Sequence, residues 1–401
     1  DNGRAGFVMS SQASSAGHGE KDVRRKILET GTVDVMISIR SNFFYTRSVP
    51  CELWFFDKGK PEALRDKVLM IDARNIFRKV TRKIYDFSPE QLSNLSAIVW
   101  LYRGRHENFL NLIKQYFSSV CDESALIEEK LSAFEETLKT ARSSFDTLAK
   151  EINKIEELDE DKRKGFTDAD TELNDLLKPY KADRKRLIDE IEKFRENHPP
   201  NPPFPKGEIT IPPLEKGGRG DLKRRFSEDN AAQHSARKAF EPAVEHIKGL
   251  IKQVDLLYKI VSRMGDIASE LAGVEAVAEI YDRRASGRLI KQLDEQRKDV
   301  VEQLKQTTYF YRQIVWLQER FPEAVLQDVP GLVKLVDKAD IEAADWSLTP
   351  GRYVGVAPPE MDEDFDFEQS LRDIHVELSD LNKEAAEMAV KIQENFEELG
   401  I

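Results

Sequence analysis

Apolar and polar positions divide the chain into regions of different period. From Asp1 to about Phe117, apolar runs of strand length alternate with amphipathic helix: AGFVMS, then EKDVRRKILETG, then VDVMISI, PCELWFFD and KVLMID. Short runs rich in β-branched and aromatic residues, separated by helical pattern, predict an α/β domain whose strands are buried on both faces. Val23, Ile27 and Leu28 make one apolar stripe on the first long helix, and Gly31 stands where a left-handed residue would end it. A further helix is predicted to open at Ser88-Pro89-Glu90-Gln91. The serine can cap, the proline suits the first helical position, and the glutamine can reach back to close a capping box.

From about Glu123 the period changes. Ile127, Leu131, Phe134, Leu138, Ala141, Phe145, Leu148, Ile152 and Ile155 alternate steps of four and three, which is an a/d heptad seam. Leu173, Leu177, Tyr180, Leu187, Ile191 and Phe194 resume it, with Pro179 expected to kink the second helix. The simplest expectation for 118–197 is an antiparallel coiled-coil hairpin. HPPNPPFPKGEITIPPLEKGGRGD then ends all periodicity, because its prolines and glycines sustain neither helix nor central strand, and 198–230 is expected to be a flexible insertion. Helix returns over about 236–271 and 288–321. A loop-rich stretch carries DWSLTPGRYVGVAPP, and a last helix over about 367–399 bears the stripe Leu371, Ile374, Leu378, Leu381. The residues 231–401 therefore read as a helical C-terminal module, and the fold class as α/β followed by mainly α.

Composition narrows the function classes. A net charge of -12 gives no overall attraction to nucleic acid or anionic lipid, so any DNA contact must come from a local basic patch. The two cysteines, Cys51 and Cys121, are far apart and suit a reducing cytoplasm. The six histidines form no i,i+4 pair and have no cysteine companions, so no metal is expected. No apolar run approaches the roughly 20 residues of a membrane span. Asp1 leads directly into an apolar strand, which reads as a sequence beginning inside a domain.

Two stretches carry a family resemblance: NGRAGFVMS through SIRSNFFYTRSVPCELWFFDKGKP to VLMIDARNIFRKVTRKIYDFSPEQL, and the distant WSLTPGRYVGV followed by an acidic helix. They resemble the modification subunits of type I restriction-modification systems. The resemblance implies a Rossmann-like sheet, of which 1–117 would be the C-terminal half, and transfer of a methyl group from S-adenosylmethionine to the amino group of adenine in DNA. It implies as partners the specificity subunit, the restriction subunit, a second copy of the modification subunit, and DNA. In that family the Gly-rich cofactor turn and the catalytic Asn-Pro-Pro-aromatic tetrapeptide both precede the stretch that opens this chain, so the chain alone is expected to be inactive.

Asn201-Pro202-Pro203-Phe204 spells that tetrapeptide but sits in the proline-rich insertion, with no apolar strand before it and in the wrong order, and it is read as a decoy. The nearby KGGRGD lacks the strand and the GK[ST] ending of a phosphate loop. The segment Ser41–Thr46 follows one strand and precedes another, which places it at a sheet rim where loops meet ligands. By the resemblance, Phe44 first and Tyr45 second would stack on a target base flipped from the duplex. Arg74, Arg78, Lys79, Arg82 and Lys83 form the compact basic cluster and are candidates for DNA phosphates. Two rival readings remain: a coiled-coil scaffold protein, and the product of a decayed gene.

Overall fold

A computed structural model describes residues 2–44, 48–81, 84–198 and 226–357, with single helical positions between 371 and 392. The strands are β1 (Arg4–Ser10), β2 (Val33–Ile39), β3 (Cys51–Asp57), β4 (Lys67–Asp72), the short β5 (Arg78–Lys79) and β6 (Tyr85–Asp86), and β7 (Val333–Asp337). The helices are α1 (Ser11–Ser15), α2 (Gly19–Glu29), α3 (Pro89–Tyr102), α4 (His106–Ser124), α5 (Ile127–Ser143), α6 (Asp146–Glu151), α7 (Glu160–Asn197), α8 (Asn230–Leu271), α9 (Glu275–Ala278), α10 (Arg283–Arg320) and α11 (Lys338–Ala343).

Five strands form a mixed sheet in the order β1-β3-β2-β4-β7. β2 and β4 run parallel, pairing Val35 with Leu69 and Ser38 with Asp72. β3 lies antiparallel between β1 and β2, and β7 runs antiparallel along β4. As the apolar runs predict, β2 and β4 are buried on both faces. Val35, Ile37, Leu69 and Ile71 join one core with the helices that follow, while Met36, Trp54, Val68 and Met70 join a second core with Leu28 of α2. The sheet rules out a pure coiled coil.

The second core corrects the domain boundaries. Part of 231–401, assigned above to a helical module, returns to the sheet: β7 pairs with β4, and Val336, Ile341, Trp346, Leu348 and Val354 complete the layer over Leu28 and Met36. A five-residue strand whose partner is remote in sequence leaves no periodic signal. The buried Arg24 ties this layer together. Its Nε donates to the Trp346 carbonyl at 2.9 Å, and its two terminal nitrogens donate to the carbonyls of Ala13 (3.1 Å) and Ala16 (2.5 Å). The stripe of α2 is shifted accordingly: Leu28 is buried and Ile27 packs beside it, but Val23 is 57% exposed and Arg24 takes the inward position. Gly31 does adopt the left-handed conformation, with φ of 67°, and its N–H closes the helix on the Leu28 carbonyl.

The predicted capping box is present. Ser88 Oγ accepts from Gln91 N at 3.2 Å, and Gln91 Oε1 accepts from Ser88 N at 2.9 Å. The heptad positions are buried as predicted, from Ile127 to Ile152 and again at Leu173, Tyr180, Leu187, Ile191 and Phe194. Their pairing differs from the expected self-contained hairpin. α7 packs along α8, and α10 along α4, α5 and α8, although Arg184 of α7 still reaches Glu135 of α5 at 2.9 Å. A heptad seam specifies that a helix is covered, not by which helix. Pro179 lies inside α7 without ending it.

Residues 199–225, including Asn201, Pro202, Pro203 and Phe204, lie outside the described residues. Their two flanks meet: the rings of His198 and Phe226 stack with centroids 4.5 Å apart, against Phe194 and near Phe117 and Phe240. At the far end, Leu371, Ile374 and Leu378 of the predicted last helix are helical and each about half exposed. Among the described residues no helix is long and apolar enough to cross a membrane, and no group of three or more histidine, cysteine or acidic side chains is placed to hold a metal.

Candidate nucleic-acid interface

Because β2 and β4 are parallel, both deliver their following loops to the same rim of the sheet, and ligands of α/β sheets bind at such carboxyl ends. The loop after β2 carries Arg40, Asn42, Phe43 and Phe44; the loop after β4 carries Arg74, Ile76 and Phe77, then the β5–β6 hairpin. The hairpin is joined to the β2 loop by a backbone bond from Tyr85 N to the Asn42 carbonyl at 3.1 Å. Asn42 has φ of 63°, a left-handed turn that asparagine tolerates better than most side chains.

The two phenylalanines of SNFF are divided between structure and surface. Phe43 packs on the first core and meets Phe87 at a ring separation of 4.5 Å, whereas Phe44 is 37% exposed. Tyr45 lies outside the described residues. The first-choice stacking residue is thus at the rim and available, with its neighbour acting as the anchor.

The basic cluster is less free than its sequence suggests. Arg74 is held bidentately by Asp72, with Nε to Oδ1 at 2.8 Å and Nη2 to Oδ2 at 2.5 Å, and these bonds raise its pKa. Arg78 is likewise gripped by Asp86, at 2.9 and 2.7 Å, which raises the arginine and lowers the carboxylate. Lys79 is exposed, and among the described residues it forms no ion pair; Arg82 and Lys83 lie outside them. Counter-ions two or eight residues away from each arginine are invisible to a count of positive charges.

Sequence reading missed two residues here. Arg40, next to SNFF, has its guanidinium against Phe77 and Tyr85. Glu52 is a carboxyl inside the apolar run CELWFF and is 1% exposed; its Oε1 accepts from Ser38 Oγ at 3.2 Å, and its Oε2 has no hydrogen-bond partner. The available signal was a charge at an inward strand position. Burial pushes the Glu52 carboxyl up from 4.5 to about 8, against the lowering influence of Ser38 and Arg74. The folded chain therefore keeps a proton that the unfolded chain has lost above its ordinary pKa, and stability falls as pH rises from about 4.5 through about 8. Glu52→Gln is expected to flatten that decline and to be more stable than wild type at the upper end by on the order of a few kcal/mol. Thermal melts of the two proteins across this range check it; parallel curves would refute the assignment.

Comparisons with known proteins address this same region. Residues 1–132 match the family model described as N-6 DNA Methylase, covering the four strands β1–β4 and the β5–β6 hairpin together with α1–α4 but not β7. The type I restriction enzyme MjaIX methylase subunit of Methanocaldococcus jannaschii is 36% identical over 94 residues, 23% of this chain and 17% of the relative. The MjaVII methylase subunit of the same organism is 26% identical over 161 residues, 36% of this chain and 28% of the relative. The crystal structure of a type I restriction-modification system methyltransferase subunit from Streptococcus thermophilus matches 23% of this chain and 19% of its own at 23% identity, with a TM-score of 0.22. The first third of the chain thus matches the N-6 DNA Methylase family model and is similar to the methylase subunits of type I restriction enzymes. The chain spans less than a third of the length of the two curated relatives above.

Proposed function

We propose that this chain is part of the modification subunit of a type I restriction-modification enzyme, whose complete form methylates the amino group of adenine in DNA. The observation that carries the reading is where the family match falls: on a sheet whose parallel strand ends present an exposed Phe44 beside a Phe43 that is partly buried against the core. Phe44, with Tyr45, would stack on the flipped base, since an aromatic ring offers a flat apolar face to any unpaired base. The methyl donor would be S-adenosylmethionine. The described rim does not fit it: the loops 40–44 and 73–77 contain no glycine that would let backbone approach a nucleoside or carboxylate closely, and Gly351, which reaches the same strand end, already has the Arg74–Asp72 pair packed against it. The cofactor cradle and catalytic tetrapeptide are therefore assigned to sequence other than this chain, and the chain alone is expected to be inactive.

The open edge of the sheet supports a Rossmann-like sheet present only in part. Phe7, Val8 and Met9 are consecutive on β1, so they point to both faces, yet they are 56%, 53% and 41% exposed. An edge strand with apolar side chains bare on both sides is a strand that another element should cover. The test is complementation. The chain and a separately expressed polypeptide carrying the cofactor turn and a strand-borne Asn-Pro-Pro-aromatic motif are mixed with the specificity subunit, duplex DNA and labelled S-adenosylmethionine. Label in DNA is expected only from the full mixture; none from any mixture, with all chains folded, would sink the reading.

The remaining partners follow from the same proposal: the specificity subunit that selects the DNA sequence, the restriction subunit and a second modification subunit, in the cytoplasm. The half-exposed Leu371, Ile374, Leu378, Met388 and Ile392 fall on one heptad seam, which suits a helix that docks against the specificity subunit. Removing everything after Pro359 is expected to abolish co-purification with that subunit while leaving the melting of the rest unchanged, as a pull-down beside a thermal melt would establish.

A further inference from the structure

We propose that Arg40 is a contact for a nucleic-acid backbone phosphate at this rim, an anion site distinct from the paired arginines of the basic cluster. The proposal rests on reading the chain as part of a DNA methyltransferase. Arg40 follows β2 directly and is half-buried. Its guanidinium carbon lies 3.9 Å from the centre of the Phe77 ring and 4.1 Å from that of Tyr85, and the two rings meet edge to face 5.1 Å apart. The clasp fixes the charge by cation–π attraction but supplies no hydrogen-bond acceptor. Arg40 Nε is buried with no partner, and among the described residues Arg40 forms no ion pair.

That combination is unusual at this rim. Arg74 and Arg78 each have a bidentate carboxylate of their own, which neutralises the charge and occupies the Nε–Nη2 edge. Among the described residues, Arg40 alone of these three arginines is held in place with no carboxylate to neutralise it, and a partly buried positive charge without a counter-ion is stabilised by an incoming anion. The two rings, set nearly perpendicular to each other, meet the guanidinium from adjacent sides and hold its position, and a guanidinium with no carboxylate partner can offer N–H donors to phosphate oxygens. The position agrees with the ligand. The short turn through Asn42 separates Arg40 from Phe44, and a base stacked on Phe44 brings its own flanking phosphates to the same loop. The rings would thus serve the arginine, and the arginine the strand.

The experiment measures binding of the assembled enzyme, with its specificity subunit, to a labelled duplex over a range of salt, for wild type, Arg40→Met, Arg40→Lys and Arg263→Met. The last removes one positive charge from α8 and controls for net charge. Arg40→Met is expected to reduce the slope of log affinity against log salt by about one and to weaken binding several-fold, with Arg40→Lys keeping the slope and Arg263→Met behaving as wild type. An unchanged slope in Arg40→Met overturns the proposal and leaves Arg40 as a clasp for the hairpin. Arg40→Lys as defective as Arg40→Met overturns it too, because charge is then not what was lost. Failure of the wild-type assembly to bind any duplex overturns the methyltransferase reading itself, and the Arg40 site with it.

Discussion

Phe44→Ala in the complete enzyme is expected to lower the methylation rate by roughly 10- to 100-fold, from the ~1–3 kcal/mol that a base gains by stacking on an aromatic ring. The loss should fall on the step that holds the extruded base and leave the melting temperature unchanged, since Phe44 is exposed and its neighbour Phe43 does the packing. Phe44→Trp should restore most of the rate, and Phe43→Ala should instead destabilise the domain. A fluorescent base analogue at the target position separates the possibilities: Phe44→Ala should lose the signal of a captured, extruded base. Wild-type rate and signal in that variant would remove Phe44 from the mechanism.

The largest structural effect is expected at Arg24. Its three nitrogens hold the carbonyls of Ala13, Ala16 and Trp346, one each, so one side chain fastens α1 and its C-terminal end to the segment that leaves α11. Burial pulls the guanidinium pKa down, and among the described residues no carboxylate forms an ion pair with it. Arg24→Ala would strand buried carbonyls at ~1–3 kcal/mol each, in part relieved by water, so a loss of about 3 kcal/mol or more is expected. Ser14 and Leu348 share the same joint: Leu348 N donates to the Ser14 carbonyl at 2.9 Å, and Trp54 Nε1 to the Ser14 hydroxyl at 3.1 Å. Denaturant unfolding should show the loss, and limited proteolysis should cut first between 338 and 357. Wild-type stability with early cleavage elsewhere would mean that the apolar contacts of Trp346 and Leu348 suffice without Arg24.

How far the sequence revealed this molecule depended on the range of each signal. The strands VDVMISI and KVLMID, the box at Ser88, the left-handed Gly31 and the heptad burial were all legible, because each is written within a few residues of itself. β7 and the pairing of α7 with α8 were not, since both depend on partners that the local pattern does not name. At the site, SNFF stood out as a rim loop, but charge counting favoured Arg74 and Arg78 and overlooked Arg40. Counting cannot tell an arginine facing its own aspartate from one facing two rings, because that difference is made by the turn after β4 and the folding back of β6.

The stack of His198 on Phe226 has a further consequence for how such a gene can change. The chain departs from α7 and comes back toward α8 at one spot, where aromatic rings already seal the joint. Lengthening a loop between anchored ends costs only about 0.6 kcal/mol per doubling, so foreign sequence arriving between these two residues is nearly free of thermodynamic penalty. The bundle has in this sense a built-in port: a place where codons can accumulate or vanish without moving a single heptad position, and where an experimenter could splice a reporter for the same reason.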